Sequence, residues 1–259
     1  MEDVSDKITD RPKPQPKFFD LVVNRLQAIG LSLLAGFFVC AVLVGLFGVV
    51  ARDVFLTARA GPLDREATLF VRGLQTAGRD HFAIFVTFFG SHLFILPATI
   101  LVAAILRWKK HPVSALLFLG SVGGGFVLNA VLKITFHRAR PDLWPALVTE
   151  HTFSFPSGHA AMSTVFYGGL VAVVFHLTDR PAPRLGAIAF ALLAISLIVW
   201  SRVFLGAHWM TDVTAGFLVG LFWVVVSAVV TEIVFRRVPR ARPVRRPRSG
   251  ANPSRQPSR

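Results

Sequence analysis

The chain has 259 residues, of which 53% are hydrophobic and only 16% charged, with a formal net charge of +14. Soluble domains carry roughly 25% charged residues, so a soluble enzyme of this size is excluded. The positive balance alone would suit nucleic acid, but nine of the 28 basic residues lie from Arg236 onward, in a Pro- and Ser-containing stretch that cannot build a core. That stretch reads as a cytoplasmic retention tail touching anionic lipid heads, and no nucleic-acid partner is expected.

In chain order, residues 1–26 form a polar tail with Lys7, Arg11, Lys13, Lys17 and Arg25. The apolar run Leu31–Val50 follows. It exceeds the roughly 7–15 residues of a signal-peptide core. Ala58-Arg59-Ala60 resembles a cleavage site only faintly and lies too far beyond the run, so the segment reads as an uncleaved anchor. Cys40 stands alone inside it, which rules out an intrachain disulfide and a cysteine-based metal site. Leu63, Ala67, Phe70 and Leu74 then repeat at helical spacing, with Asp64, Arg65, Glu66 and Arg72 on the other faces. This predicts a short amphipathic helix at the membrane interface.

Five further spans are expected: Phe82–Leu106, Pro112–Leu132, Ala160–Leu177, Leu185–Trp200 and Val213–Thr231. Most reach the roughly 20 apolar residues that a bilayer crossing needs; Leu185–Trp200 is short, and its ends extend into neighbouring residues. Gly123-Gly124-Gly125 lies within one of them, where small residues let helices approach closely. The predicted fold is an all-α, polytopic bundle of six transmembrane helices over residues 27–235, with a polar cytoplasmic tail at 1–26 and a basic, disordered one at 236–259. Six crossings put both tails on one side, and their basic character makes that side cytoplasmic. The internal loops run the other way, with five basic residues on the cytoplasmic side and nine opposite.

Ionisable residues beside membrane helices are expensive, and each is a functional candidate by default. They gather in three clusters, all expected at the outer membrane–water interface. The first runs from Lys133 to Arg140 and Pro141, at the end of the third span. Lys133 and Arg140 are seven apart, close to two helical turns, so they can point the same way until Pro141 stops the helix. Two cations over one spot suit a phosphate, although alone they also fit ordinary interfacial anchors. The second cluster is Phe155-Pro156-Ser157-Gly158-His159-Ala160, before the fourth span. Ser157 can cap the new helix, Gly158 lets the backbone come close to an oxyanion, and His159 exchanges a proton near neutral pH. Read alone, a plain cap beside an interfacial histidine also fits. The third cluster runs from Ser201-Arg202 to His208 and Asp212. His208 and Asp212 are four apart on one expected helix face, where a carboxylate can fix the imidazole tautomer and leave the far nitrogen as a nucleophile. A buried pair that only ties helices together remains the alternative.

Taken together, Lys133 through Pro141 fits K-x6-R-P, Pro156 through His159 is P-S-G-H, and Ser201 through Asp212 is S-R-x5-H-x3-D. In this order the three resemble the signature of the type-2 phosphatidic-acid phosphatase superfamily, which includes bacterial acid phosphatases and vanadium haloperoxidases. The resemblance covers about residues 27–235. It implies that His208 attacks phosphorus to form a phosphohistidine, that Asp212 orients it, and that His159 protonates the leaving oxygen. It also implies that Lys133, Arg140, Ser157, Gly158 and Arg202 hold the phosphate oxygens. Phosphoryl transfer is mainly positioning and charge neutralisation, which three cations can supply. Only Asp142, Glu150 and Asp212 are carboxylates near the clusters, too few for two ions, so no metal and no cofactor is expected.

The expected substrate is a lipid phosphate or diphosphate, with undecaprenyl diphosphate favoured over a glycerophospholipid phosphate (phosphatidylglycerophosphate or phosphatidic acid) or lipid A. A six-span body argues against a haloperoxidase. A lipid-phosphate carrier with a dead site is the non-enzyme alternative, against which intact His208, His159 and Asp212 speak. His81, His92, His111 and His176 read as interfacial or packing residues, and the roles of His137 and His151 stay open. Trp144, Phe153 and Phe155 are candidates to touch the lipid near its head group.

Overall fold

A computed structural model describes residues 18–57, 60–143, 147–148, 150 and 152–237. The tails 1–17 and 238–259, with Ala58, Arg59, Trp144 and His151, lie outside the described residues. All regular structure among the described residues is helical: α1 (Phe18–Thr57), α2 (Pro62–Arg72), α3 (Ala77–Phe88), α4 (His92–Trp108), α5 (Pro112–Phe136), α6 (Gly158–Leu177), α7 (Pro181–Phe204) and α8 (Met210–Arg237). Five of these are long and apolar enough to cross a bilayer, and α3 with α4 make a sixth crossing if taken as one span bent by 41°.

The bend corrects the expectation of an unbroken Phe82–Leu106 span. Phe89 and Gly90 N–H groups bond back to the Val86 and Thr87 carbonyls at 3.2 and 3.0 Å, closing α3 in a tight turn. Ser91 then starts α4 afresh, its Oγ accepting the Phe94 N–H at 3.3 Å. A polar cap inside an apolar run leaves hydropathy high while it breaks the helix.

α6 is the central helix, packed on α7 and α8; α1 lies chiefly against α8, α3 against α7, and α5 against α4 and α6. α8 meets α6 through Gly216 and Gly220, one turn apart. A Cβ on Gly216 would lie 2.5 Å from the Ser157 carbonyl oxygen, and one on Gly220 2.8 Å from that of Ala161. Small residues at this spacing let membrane helices touch backbone to backbone. On α5, a Cβ on Gly124 would run into the Trp223 ring and one on Gly125 would lie 3.2 Å from the Val165 methyls, whereas one on Gly123 would meet nothing within 4 Å.

The expected amphipathic helix is α2, but its inward face is polar. Asp64 and Thr68 are buried at 2% and 0% exposure, while Leu63 and Phe70 are exposed at 67% and 71%. Phe155, expected near lipid, is fully buried, packed on Phe136 with ring centroids 4.7 Å apart and on Phe47 at 5.9 Å. Phe153 is exposed and sits edge-on to His137 at 4.5 Å.

Candidate active site

The end of α5, the start of α6, the end of α7 and the start of α8 come together at one end of the bundle, and all eight candidate residues lie there. The routes by which two of the clusters converge differ from those expected. α5 stops at Phe136, because His137 adopts a left-handed conformation (φ 49°) and its N–H closes on the Lys133 carbonyl at 3.2 Å. The stop comes well before Pro141, so Lys133 and Arg140 share no helix face. They converge nonetheless: Lys133 Nζ donates to the Phe153 carbonyl, and Arg140 Nη2 reaches the same oxygen at 3.5 Å.

Arg140 is anchored by its neighbours. Its Nε donates to the Thr152 carbonyl at 2.8 Å and its Nη1 to that of Ala207 at 2.7 Å, leaving Nη1 3.2 Å from His208 Nε2. Burial pulls its guanidinium below the usual arginine range, with Glu150 and Asp212 opposing.

His208 is not on a helix with Asp212 either. It lies in the turn between α7 and α8, which Gly206 makes possible with φ 72°, a backbone conformation that suits glycine. The His208 and Ala207 N–H groups bond the Arg202 carbonyl at 3.2 and 3.1 Å, fastening the turn to α7. The imidazole is 1% exposed. Burial, then the charges of Arg202, Arg140 and Lys133, hold it well below the ordinary histidine value of 6.5, so the ring is neutral. Its Nδ1 lies 3.4 Å from Asp212 Oδ2. Asp212, in the first turn of α8, accepts the Trp209 N–H on that oxygen at 2.9 Å.

Ser157 caps α6, its Oγ accepting the Ala160 N–H at 3.5 Å, while its own N–H donates to the Asp212 carbonyl at 2.9 Å. Gly158 follows with Asn129 of α5 close by: a Cβ there would meet Asn129 Nδ2 at 3.2 Å. His159 packs beside Gly90, at the α3–α4 break, where a Cβ would meet the imidazole Cδ2 at 3.4 Å.

Arg202 is 1% exposed in the last turn of α7. Its Nη1 donates to Thr87 Oγ1 of α3 at 2.8 Å, and its Nη2 pairs with Glu150. Glu150 also lies 3.6 Å from Arg140 Nη2 and 3.9 Å from His159 Nδ1. A carboxylate is therefore held among two guanidinium groups and an imidazole, beside His208: a place built for anionic oxygens.

The sequence profile of the PAP2 superfamily matches residues 114–236. Phosphatidylglycerophosphatase B of Bacillus subtilis is 36% identical over 137 residues, covering 52% of this chain and 67% of that one. The chain belongs to the PAP2 superfamily. Undecaprenyl-diphosphatase of Sulfolobus acidocaldarius is 29% identical over 151 residues, 56% of this chain and 68% of that protein. The crystal structure of a transmembrane PAP2-type phosphatidylglycerolphosphate phosphatase from Bacillus subtilis superposes with a TM-score of 0.67 at 26% identity, covering 75% of this chain and 96% of that one. The protein is an integral membrane lipid phosphatase.

Sequence reasoning missed five residues in or beside the candidate site. Thr87 and Gly90 sat unmarked inside an expected span. Glu150 was counted only as a scarce carboxylate. Asp64 reads only as part of the polar side of an interfacial helix and Arg138 carries no reading of its own, yet they are 2% and 1% exposed and paired at 2.6 Å.

Proposed function

We propose that the chain hydrolyses a lipid diphosphate, undecaprenyl diphosphate in first place, through a phosphohistidine on His208. The supporting observation is the Glu150 carboxylate held by Arg202 and Arg140 beside the buried His208. A phosphate entering that place exchanges one anion for another, and the phosphorus then faces Nε2. Lys133, Arg140, Arg202, Ser157 and the Gly158 N–H hold the equatorial oxygens, where neutralised charge lowers the barrier. Asp212 keeps the proton on Nδ1 and Nε2 free to attack. His159, across the anion site, gives its proton to the leaving oxygen and afterwards assists the water that releases phosphate.

The several cations around one place favour a diphosphate head. The crevice lined by Leu43, Phe47, Leu128, Leu132, Leu218 and Phe222, about 140 Å³ in volume between α1, α5 and α8, suits a hydrocarbon tail. The Bacillus relatives favour a second reading, phosphatidylglycerophosphate. The catalytic body spans residues 27–235 and the tails 1–26 and 236–259 are cytoplasmic, so the site faces the periplasm or exterior of a bacterial plasma membrane. The basic residues of both tails support this sidedness.

Metal independence is expected, since only Asp142, Glu150 and Asp212 are carboxylates near the clusters and Asp212 is held by Arg138. Purified protein in detergent is given undecaprenyl diphosphate, phosphatidylglycerophosphate and phosphatidic acid in EDTA, and phosphate release is measured. Turnover is expected in chelator, fastest on the diphosphate, with inhibition by vanadate. Activity that needs added Mg²⁺, or a preference for a glycerophospholipid, contradicts the respective part.

A further inference from the structure

Among the described residues, Asp64 and Arg138 form a buried charged pair that has no part in the steps above. Asp64 comes from the first turn of α2, and Arg138 from the irregular chain after α5. The Arg138 guanidinium is divided between two acids: Nη2 to Asp64 Oδ2 at 2.6 Å, and Nη1 to Asp212 Oδ1 at 2.5 Å. Nη1 also donates to Thr211 Oγ1 at 2.7 Å. Asp64 holds the same segment directly, accepting the Thr211 N–H at 2.9 Å and the Thr211 hydroxyl at 2.8 Å. Thr211 lies in the first turn of α8, where the helix dipole also favours an anion.

One arginine would satisfy Asp212 alone, so the second acid needs a reason. Arginine meets a lone carboxylate through two nitrogens in parallel. In that geometry Arg138 takes both oxygens of Asp212, including Oδ2, which faces His208. With Asp64 holding Nη2, Arg138 grips Oδ1 only. Oδ2 stays with the Trp209 N–H at 2.9 Å and with His208 Nδ1 at 3.4 Å.

We propose that Asp64 and Arg138 are positioning residues for the His208–Asp212 pair, and that α2 is thereby part of the catalytic apparatus. The assignment rests on His208 being the nucleophile. α2 is fastened to the bundle for this task. Gln75, just past its end, donates from Nε2 to the Phe204 carbonyl at 2.6 Å, and Val71 packs with Val203 and Phe204. The pair lies behind Asp212, so it acts on turnover and leaves phosphate binding to Lys133, Arg140 and Arg202.

The test uses the full chain in detergent, with short-chain phosphatidic acid as substrate and inorganic phosphate as inhibitor. Asp64→Asn keeps an acceptor for the Thr211 N–H but turns an amide or a neutral oxygen toward Arg138. Its kcat is expected to fall on the order of 10²-fold, as when a reacting group is displaced by about an ångström. KM and competitive inhibition by inorganic phosphate should hold within about three-fold, because the phosphate-holding groups are untouched. Arg138→Lys is the second route if Asp64→Asn does not fold. One ammonium cannot serve both acids, so the same loss in kcat at constant KM is expected. In the Arg138→Lys background, adding Asp64→Asn should cost no more than about two-fold further, since coupled groups are not additive. An unchanged kcat in the folded variants, a loss confined to KM, or fully additive losses overturns the assignment. His208→Ala is run alongside. If it retains turnover, the nucleophile reading fails and takes this assignment with it. If it is dead while Asp64→Asn equals wild type, only the positioning role falls.

Discussion

α1 and α6 both pass for membrane spans, yet they answer to opposite surroundings. α1 is the more apolar, with a mean hydropathy of 2.8 and almost all of its apolar stretch exposed, against 1.7 and half buried for α6. In water the most hydrophobic helix would be the core. In a bilayer the lipid is as apolar as leucine, so high hydropathy marks the helix that faces lipid, and the less apolar helix lies at the centre. α6 buries Ser157, Ser163 and Thr164, and each is satisfied locally. Ser163 and Thr164 hydroxyls donate to the Ala160 carbonyl at 3.2 and 2.8 Å, and Ser157 caps the helix. Polarity that would be costly against lipid is what builds the site.

The same substitution in the two regions should give opposite results, and the largest effect belongs to the centre. Gly216→Val puts a branched side chain where even a Cβ would lie 2.5 Å from a backbone oxygen of α6. Backbone cannot yield as a side chain end can, so α8 is pushed off α6 and Asp212 with it. Activity should vanish and the melting temperature in detergent should fall. A fully active variant that melts like wild type would show that the two helices are not in contact as described.

His159→Ala comes next, with a loss of about 10²–10⁴-fold expected for removal of a general acid. The loss should depend on the leaving group. An alkoxide leaving from a monoester is strongly basic and needs its proton early, whereas a lipid monophosphate leaving from a diphosphate departs with less help. Monoester hydrolysis at saturating substrate should suffer more. Equal losses on both would mean that another group is the acid.

The smallest effect is expected on α1. Gly48 has nothing within 4 Å of its notional Cβ, so Gly48→Val should change phosphate release by no more than about two-fold, as for other exposed positions. A large loss would mean that this face of α1 meets something besides lipid.

What the sequence made legible follows the same division. The spans show because lipid demands long apolar runs, and Lys133, Arg140, His159, Arg202, His208 and Asp212 show because charge at span ends is costly. Spacing failed where the chain leaves helical geometry. The left-handed turn at His137 takes Arg140 off the α5 axis, and the Gly206 turn takes His208 off α8. Asp64 and Arg138 stayed hidden because their partners are 74 residues apart in sequence. On α2 alone, Asp64 looks like the wet face of an interfacial helix, and only packing shows that face turned inward. Thr87 and Gly90 were masked by the hydropathy of the run that contains them. Glu150 carries no helical periodicity to betray its reach back toward Arg202.

The central claim is that the neutral, buried His208 carries the phosphoryl group. It is tested most directly by mixing enzyme with lipid substrate labelled with ³²P in the scissile phosphate, quenching in the first turnover and mapping the label. The account predicts an acid-labile, base-stable phosphohistidine on the peptide holding His208, formed by wild type and absent from His208→Ala. It should accumulate further when His159→Ala slows the release step. A label on any other residue, or turnover by His208→Ala at a rate near wild type, would contradict it.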